Sequence, residues 1–143
     1  MAYACAPAPP NPLTIKPPTD IVKNEMQGLD GDLQQETRNV SLDRNASTQF
    51  NKERIRQAKE RMNTSVNTRM LNIENSLDDL PENEQNQVAA FVEVVTPAVE
   101  EQISWVASDF GAIVAGFKTA YDSVTKVVEN VCSAIGTFFN YLF

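Results

Sequence analysis

Apolar residues in the last third of the chain, 109–143, recur at alternating steps of three and four. This spacing predicts an α-helix with one apolar side, because a strand would need a step of two. We call the two main columns of this pattern the C-terminal stripe. Its members are Phe110, Val114, Phe117, Tyr121, Val124, Val128, Val131, Ile135, Phe138 and Leu142. A third apolar column beside them makes the face wider than the seam of a two-stranded coiled coil, so this helix must pack on other helices or on lipid.

The stripe belongs to a long, heptad-patterned helix that is predicted to run from Pro97 to the C-terminus, or to pause near Ser108, Asp109 and Gly111. Trp105 falls opposite the stripe if the helix is continuous, so we expect it to contact another segment or subunit. A short acidic helix is predicted before this long helix, beginning at Pro81 and ending at the Thr96–Pro97 break.

An amphipathic helix is predicted upstream, because apolar residues from Ile55 to Leu80 also recur at steps of three and four. Ser47 or Thr48 would cap a start near Gln49. Leu80 precedes a proline, which favours a helix end at that point. The predicted fold class is therefore all-α, with three helical segments of different character.

Six prolines among the first twenty residues predict an extended N-terminal arm with polyproline character. Gly28 and Gly31 are interpreted as bracketing a turn at its end. The chain thus divides into an arm at 1–31, a polar and then basic helical segment at 32–80, and an acidic and then apolar helical segment at 81–143. We expect the arm to tie neighbouring subunits together, with a disordered tail as the alternative.

Charge is strongly segregated although the net charge is only −7. Residues 44–69 carry seven basic and two acidic side chains, whereas residues 74–101 carry eight acidic side chains and none that are basic. We expect these two segments to pair within one chain or between chains. Contact with nucleic acid or anionic lipid is the weaker interpretation, because Phe50 is the one aromatic side chain near the basic run. The residues concerned are Lys52, Arg54, Arg56, Lys59 and Arg61.

Catalytic chemistry has little support in the sequence. The chain has no histidine, and its two cysteines, Cys5 and Cys132, follow no metal-binding spacing. No phosphate-binding glycine loop, calcium loop or nucleophile–base motif is present. We therefore predict no enzyme, no catalytic residue, no cofactor and no metal, with both cysteines as free thiols in a reducing compartment. The sequence also shows no secretory signal and no membrane-spanning stretch, which favours the cytoplasm or the interior of a virion.

Two functional hypotheses remain open. The first is a structural protein that forms homo-oligomers through the C-terminal stripe, together with other proteins of a large assembly such as a virus or phage capsid. The alternative is a peripheral protein whose C-terminal amphipathic helix binds or penetrates a membrane. Phe138, Phe139, Tyr141 and Phe143 would supply the aromatic contacts with the lipid interface.

Overall fold

The computed structural model describes residues 9–43, 45–116 and 123–143, and the part described contains helices and loops but no strand. The predicted all-α class is therefore confirmed. The helices are α1, Asp20–Arg38; α2, Thr48–Asn75; α3, Glu82–Ala115; and α4, Ser123–Asn140. A short 3-10 turn, Leu77–Asp79, connects α2 to α3.

The four helices form a closed bundle in which α1 packs on α2 and α4, and α3 packs on the same two helices. Neighbours run antiparallel. Glu36, late in α1, binds Arg61, whereas Glu25, early in α1, binds Asn72 further along α2. The same reversal of order is seen where α2 meets α3. The architecture is an up-down-up-down four-helix bundle.

One apolar core runs through the bundle, and every helix contributes to it. Each fully buried aliphatic or aromatic side chain contributes on the order of 1.5–3 kcal/mol to folding. The N-terminal half of the chain contributes to this core and helps to cover the C-terminal stripe. Helix α1 supplies four fully buried side chains at steps of four, three and four, namely Val22, Met26, Leu29 and Leu33.

The turn predicted at Gly28 and Gly31 is also wrong, because both glycines lie inside α1. The helix begins at Asp20, and the Thr19 hydroxyl caps it by accepting a hydrogen bond from a backbone N–H of the first turn. A Cβ at Gly28 would collide with the guanidinium of Arg69 from α2, so the glycine leaves room for that side chain. Its place in the helix thus reflects packing between α1 and α2.

The helix boundaries predicted after residue 81 are wrong at two points. Helix α3 continues through Pro97, because buried residues such as Val95 and Val99 carry the apolar stripe across the proline while Pro97 itself faces solvent. Near the other end, α3 stops at Ala115, and α4 begins at Ser123. The predicted short acidic helix and long C-terminal helix are therefore replaced by one long helix followed by a shorter one.

Trp105 lies within α3, where the helix is unbroken. Its side chain is only 9% exposed and belongs to the apolar core. Its place in the core supports the predicted contact with another segment. Trp105 lies about 140° around α3 from Phe110 and about 180° from Val114, and all three are buried, so the buried surface of α3 is wider than the stripe.

The described part of the N-terminal arm, residues 9–19, has no helix and lies on its own chain. Ile15 packs partly buried against the core, beside Phe91 and Val94 of α3. The Lys16 ammonium donates a hydrogen bond of 3.0 Å to the carbonyl oxygen of Tyr141, just after α4. This part of the arm therefore spans from α3 to the end of α4.

Candidate functional site

The C-terminal stripe packs inside the chain's own bundle. Val128 is half-buried, and the side chains of Phe117, Tyr121 and Val124 lie outside the described residues. An oligomer or lipid interface at the stripe would therefore require the bundle to open. The buried members are Phe110, Val114, Val131, Ile135, Phe138 and Leu142.

The basic residues singled out in the sequence are spread around the N-terminal half of α2. Arg56 forms ion pairs with Glu53 and Glu60 on the same helix, and the nearby carboxylates raise the pKa of the guanidinium. Arg61 pairs with Glu36 of α1 at 2.6 Å. These two arginines are locally neutralised and are not arranged as a polyanion site.

A further arginine, Arg69, joins α2 to α1 more firmly. Its guanidinium donates to Asp32 at 2.9 and 3.2 Å and to Glu25 at 3.5 Å, and this contact raises the pKa of Arg69. The predicted pairing of the basic segment with the acidic segment of the same chain is therefore wrong. The antiparallel packing of α1 on α2 brings the carboxylates of α1 to these arginines instead.

Two basic side chains at the start of α2 remain without an ion-pair partner among the described residues, Lys52 and Arg54. The Arg54 guanidinium lies over the Phe50 ring, 4.8 Å from its centroid, in a cation–π contact. The ring remains 42% exposed. We call Phe50 and Arg54, with Lys52 beside them, the basic aromatic patch.

A groove of about 340 Å³ lies near the other end of α2, between α2 and the first half of α3. Ile73 and Val88 form its floor and are each 1% exposed. Glu74 and Glu93 are exposed side chains on its α2 and α3 sides. We call this feature the acidic groove. The remaining lining residues are Met70, Leu77, Ala89 and Val92.

The carboxylates around this groove are unneutralised. Of the eight acidic side chains from Glu74 to Glu101, none forms an ion pair with another described residue. Leu71, which is exposed, lies between the groove residues Met70 and Ile73 in the sequence of α2. The result is an apolar depression within a surface of uncompensated negative charge, which favours a ligand that is apolar and cationic.

Buried polar groups form a second unusual feature, on α3. Gln102 is 1% exposed, and neither its amide oxygen nor its amide nitrogen has a hydrogen-bond partner among the described residues. The Thr96 hydroxyl is likewise buried without a partner there. Asp109 is 3% exposed, and burial raises its pKa to about 6. Gln102 and Asp109 continue the three-and-four spacing of the buried α3 residues.

A polar cleft of about 460 Å³ separates parts of α1 and α4. Arg38 and Glu129 line it, together with Cys132, whose thiol contacts the carbonyl oxygen of Gln34 at 3.7 Å. Burial raises the pKa of the Cys132 thiol, which disfavours the reactive thiolate. At Gly136 an added Cβ would lie 3.4 Å from the Gln34 amide nitrogen, so the helices approach closely there.

The described residues contain neither a metal cluster nor a membrane-spanning helix. No group of three or more His, Cys, Asp or Glu side chains there is arranged to hold a metal ion. None of the four described helices combines the length and the apolar character that crossing a lipid bilayer demands.

Comparison with known proteins gives no family assignment: no family model matches the chain, and neither curated proteins nor solved structures include a significant match.

Proposed function

We propose that this protein is a non-enzymatic structural protein that associates with copies of itself within a larger assembly. One observation carries the proposal: unneutralised charge of opposite sign lies beside exposed apolar side chains near the two ends of α2. The acidic groove is near the C-terminal end of α2, and the basic aromatic patch is at the N-terminal end. Helix α2 has 28 residues and is about 42 Å long, so the two features are well separated.

Self-association would use these surfaces and leave the C-terminal stripe inside the bundle. The stripe already stabilises the chain's own fold, and exposing it would sacrifice on the order of 1.5–3 kcal/mol for each large side chain. Charged surfaces need no such rearrangement. The proposal therefore keeps the predicted assembly role but assigns it to a different part of the molecule.

Lipid binding by the C-terminal helix, the alternative function, faces the same obstacle. Phe138 and Phe139 are buried and pack edge to face, with ring centroids 5.1 Å apart. Tyr141 is exposed, but its carbonyl oxygen is held by Lys16 of the arm. Membrane binding by this end would thus require the aromatic side chains to leave the core.

Sedimentation velocity over a series of micromolar concentrations tests the proposal. We expect reversible self-association at 0.15 M salt and its weakening at 1 M salt. The Debye length falls from about 8 Å to about 3 Å over this range, which screens attraction between exposed charges. The lower salt already screens much of the repulsion between copies of net charge −7. A monomer at all concentrations in both buffers would refute the proposal, and flotation with lipid vesicles would favour the alternative.

A further inference from the structure

From the proposed self-association we infer that the acidic groove of one copy receives Phe50 and Arg54 of a second copy, so that the protein assembles head to tail. The inference rests on the proposed function and deepens it by naming both halves of the contact. The Phe50 ring would cover the apolar floor of the groove. The Arg54 guanidinium beside the ring would meet Glu74 or Glu93.

The groove selects its ligand by two properties that occur together. Beside its buried floor of Ile73 and Val88, the half-buried Leu77 and Val92 offer apolar contact and can make no hydrogen bond through side chains. Glu74 and Glu93 flank that floor on opposite sides with carboxylates that have no ion-pair partner among the described residues. A matching ligand therefore carries an apolar group and a cation within a few ångströms of each other.

The basic aromatic patch has this combination. Five large apolar side chains are exposed in the described parts of the chain: Ile21, Phe50, Leu71, Val94 and Tyr141. Only Phe50 lies within the basic segment 44–69, and the Arg54 guanidinium is already stacked on its ring. Because that stacking fixes the cation relative to the ring, little conformational entropy remains to be lost on binding.

One copy cannot satisfy its own groove. Phe50 and Ile73 are 23 residues apart on the same rigid helix, which places them about 35 Å apart along its axis. The contact must therefore form between copies, and net attraction arises from opposite charges brought together at the joint.

The direction of the two features also limits the symmetry of the assembly. At about 100° per residue, the groove side of α2, centred between Ile73 and Glu74, lies about 190° around the helix from Phe50. The patch and the groove therefore lie on opposite sides of α2. Two copies related by a two-fold axis could not place both patches in both grooves at the same time. Such heterologous contacts build chains or rings instead of closed dimers.

Two double variants separate the halves of the contact. The groove variant carries Glu74→Lys and Glu93→Lys, and the patch variant carries Phe50→Ala and Arg54→Ala, which leaves no anion that the altered groove could attract. All four positions are exposed, so both variants should retain the helical circular dichroism spectrum of the wild type. A matched control, Glu100→Lys with Glu101→Lys, makes the same change in net charge as the groove variant on exposed α3 positions outside the groove. Lys23→Ala on α1 controls for the positive charge lost in the patch variant.

Sedimentation velocity at 0.15 M salt then gives a distinctive expected result. Each interface variant alone should lose at least ten-fold in association and sediment as a monomer where the wild type associates, while both controls associate as the wild type does. An equimolar mixture of the groove and patch variants retains one intact groove and one intact patch. It should therefore form one-to-one dimers and nothing larger.

The outcomes that overturn the inference are separable from failure of the proposed function. If the wild type associates and both interface variants associate equally well, the inferred contact is wrong but the assembly role stands. The inference also fails if the variants dissociate but their mixture stays monomeric, or if the mixture grows beyond dimers. A wild type that remains monomeric refutes both the contact and the assembly role.

Discussion

The Gln102 amide, which is buried in the bundle core without a hydrogen-bond partner among the described residues, leads to a direct prediction about stability. Burying an amide without a hydrogen bond costs about 1–3 kcal/mol in folded proteins. Methionine matches glutamine in length, lacks the polar atoms and adapts to irregular core space. The Gln102→Met variant should therefore raise the free energy of unfolding by about 1–3 kcal/mol.

Urea unfolding followed by circular dichroism, together with thermal melting, measures this change. For a chain of this size, 1 kcal/mol corresponds to about 3 °C in Tm, so we expect a rise of about 3–9 °C. Gln57→Met serves as the control, because Gln57 is exposed on α2 and its replacement should change stability by less than about 0.5 kcal/mol. Thr96→Val tests the same reasoning at the buried hydroxyl, with an expected gain of about 1 kcal/mol.

The reasoning is refuted if Gln102→Met destabilises the protein by 1 kcal/mol or more while the control is neutral. That result would mean that the amide has hydrogen-bond partners in solution and stabilises the bundle.

Further predictions concern a buried carboxylate, two glycines and a helix cap. Burial raises the pKa of Asp109 from 3.8 to about 6. Between these two pH values the folded state keeps the proton that the unfolded state has lost. The free energy of unfolding of the wild type should therefore fall by up to about 3 kcal/mol as the pH rises from 3.8 to about 6. The Asp109→Asn variant should lack this pH-dependent contribution when the free energy of unfolding is measured in urea at pH 4 and pH 7. A difference between the two pH values as large as that of the wild type would contradict the prediction. Gly31→Ala should raise the free energy of unfolding by about 0.5–1 kcal/mol, measured by thermal melting, because the added Cβ meets no atom within 4 Å. Gly28→Ala should raise it by less, because the added Cβ displaces the Arg69 side chain. Equal gains from the two variants would count against the packing of Arg69 on Gly28. Thr19→Ala should lose about 1 kcal/mol with the capping hydrogen bond, and an unchanged melting temperature would show that the cap is absent.

Much of the fold could be predicted from periodicity, and the failures have specific causes. The apolar stripe predicted for α2 is confirmed, because Ile55, Met62 and Ile73 are buried. Helix α1 was missed although its apolar spacing was present, because two glycines were given more weight than the four apolar residues around them. Gly28 leaves room for the Arg69 side chain of α2, and this tertiary contact cannot be predicted from the local sequence.

The division of the last two helices could not be derived from the stripe alone. A heptad pattern can continue across a helix boundary, since both α3 and α4 turn an apolar face toward the same core. Conversely, Pro97 suggested a boundary where buried residues on both sides keep the helix continuous. At Pro97 the local sequence favours a helix end, whereas burial of the neighbouring residues stabilises a continuous helix, and α3 is continuous there.

The candidate surfaces were only partly accessible from the sequence. Charge segregation and the position of Phe50 near the basic run could be read from the sequence, but the exposure of the ring and the stacking of Arg54 on it could not. The acidic groove depends on how much of Met70, Leu77 and Val92 remains uncovered when α2 packs on α3, and that is set by tertiary packing. Gln102 and Asp109 did carry a signal, as polar residues at positions of apolar spacing, although the sequence interpretation did not use it.

One chain buries the described core members of its own C-terminal stripe and leaves charged surfaces exposed for association. Amide hydrogen exchange along residues 131–139 tests this arrangement when it is measured at a dilution where the protein is monomeric and again where it is associated. We expect strong protection that is equal at the two concentrations, because α1 and α3 cover this part of α4 within one chain. Rapid exchange in the monomer, with protection appearing only on association, would show that the stripe is instead an interface between copies.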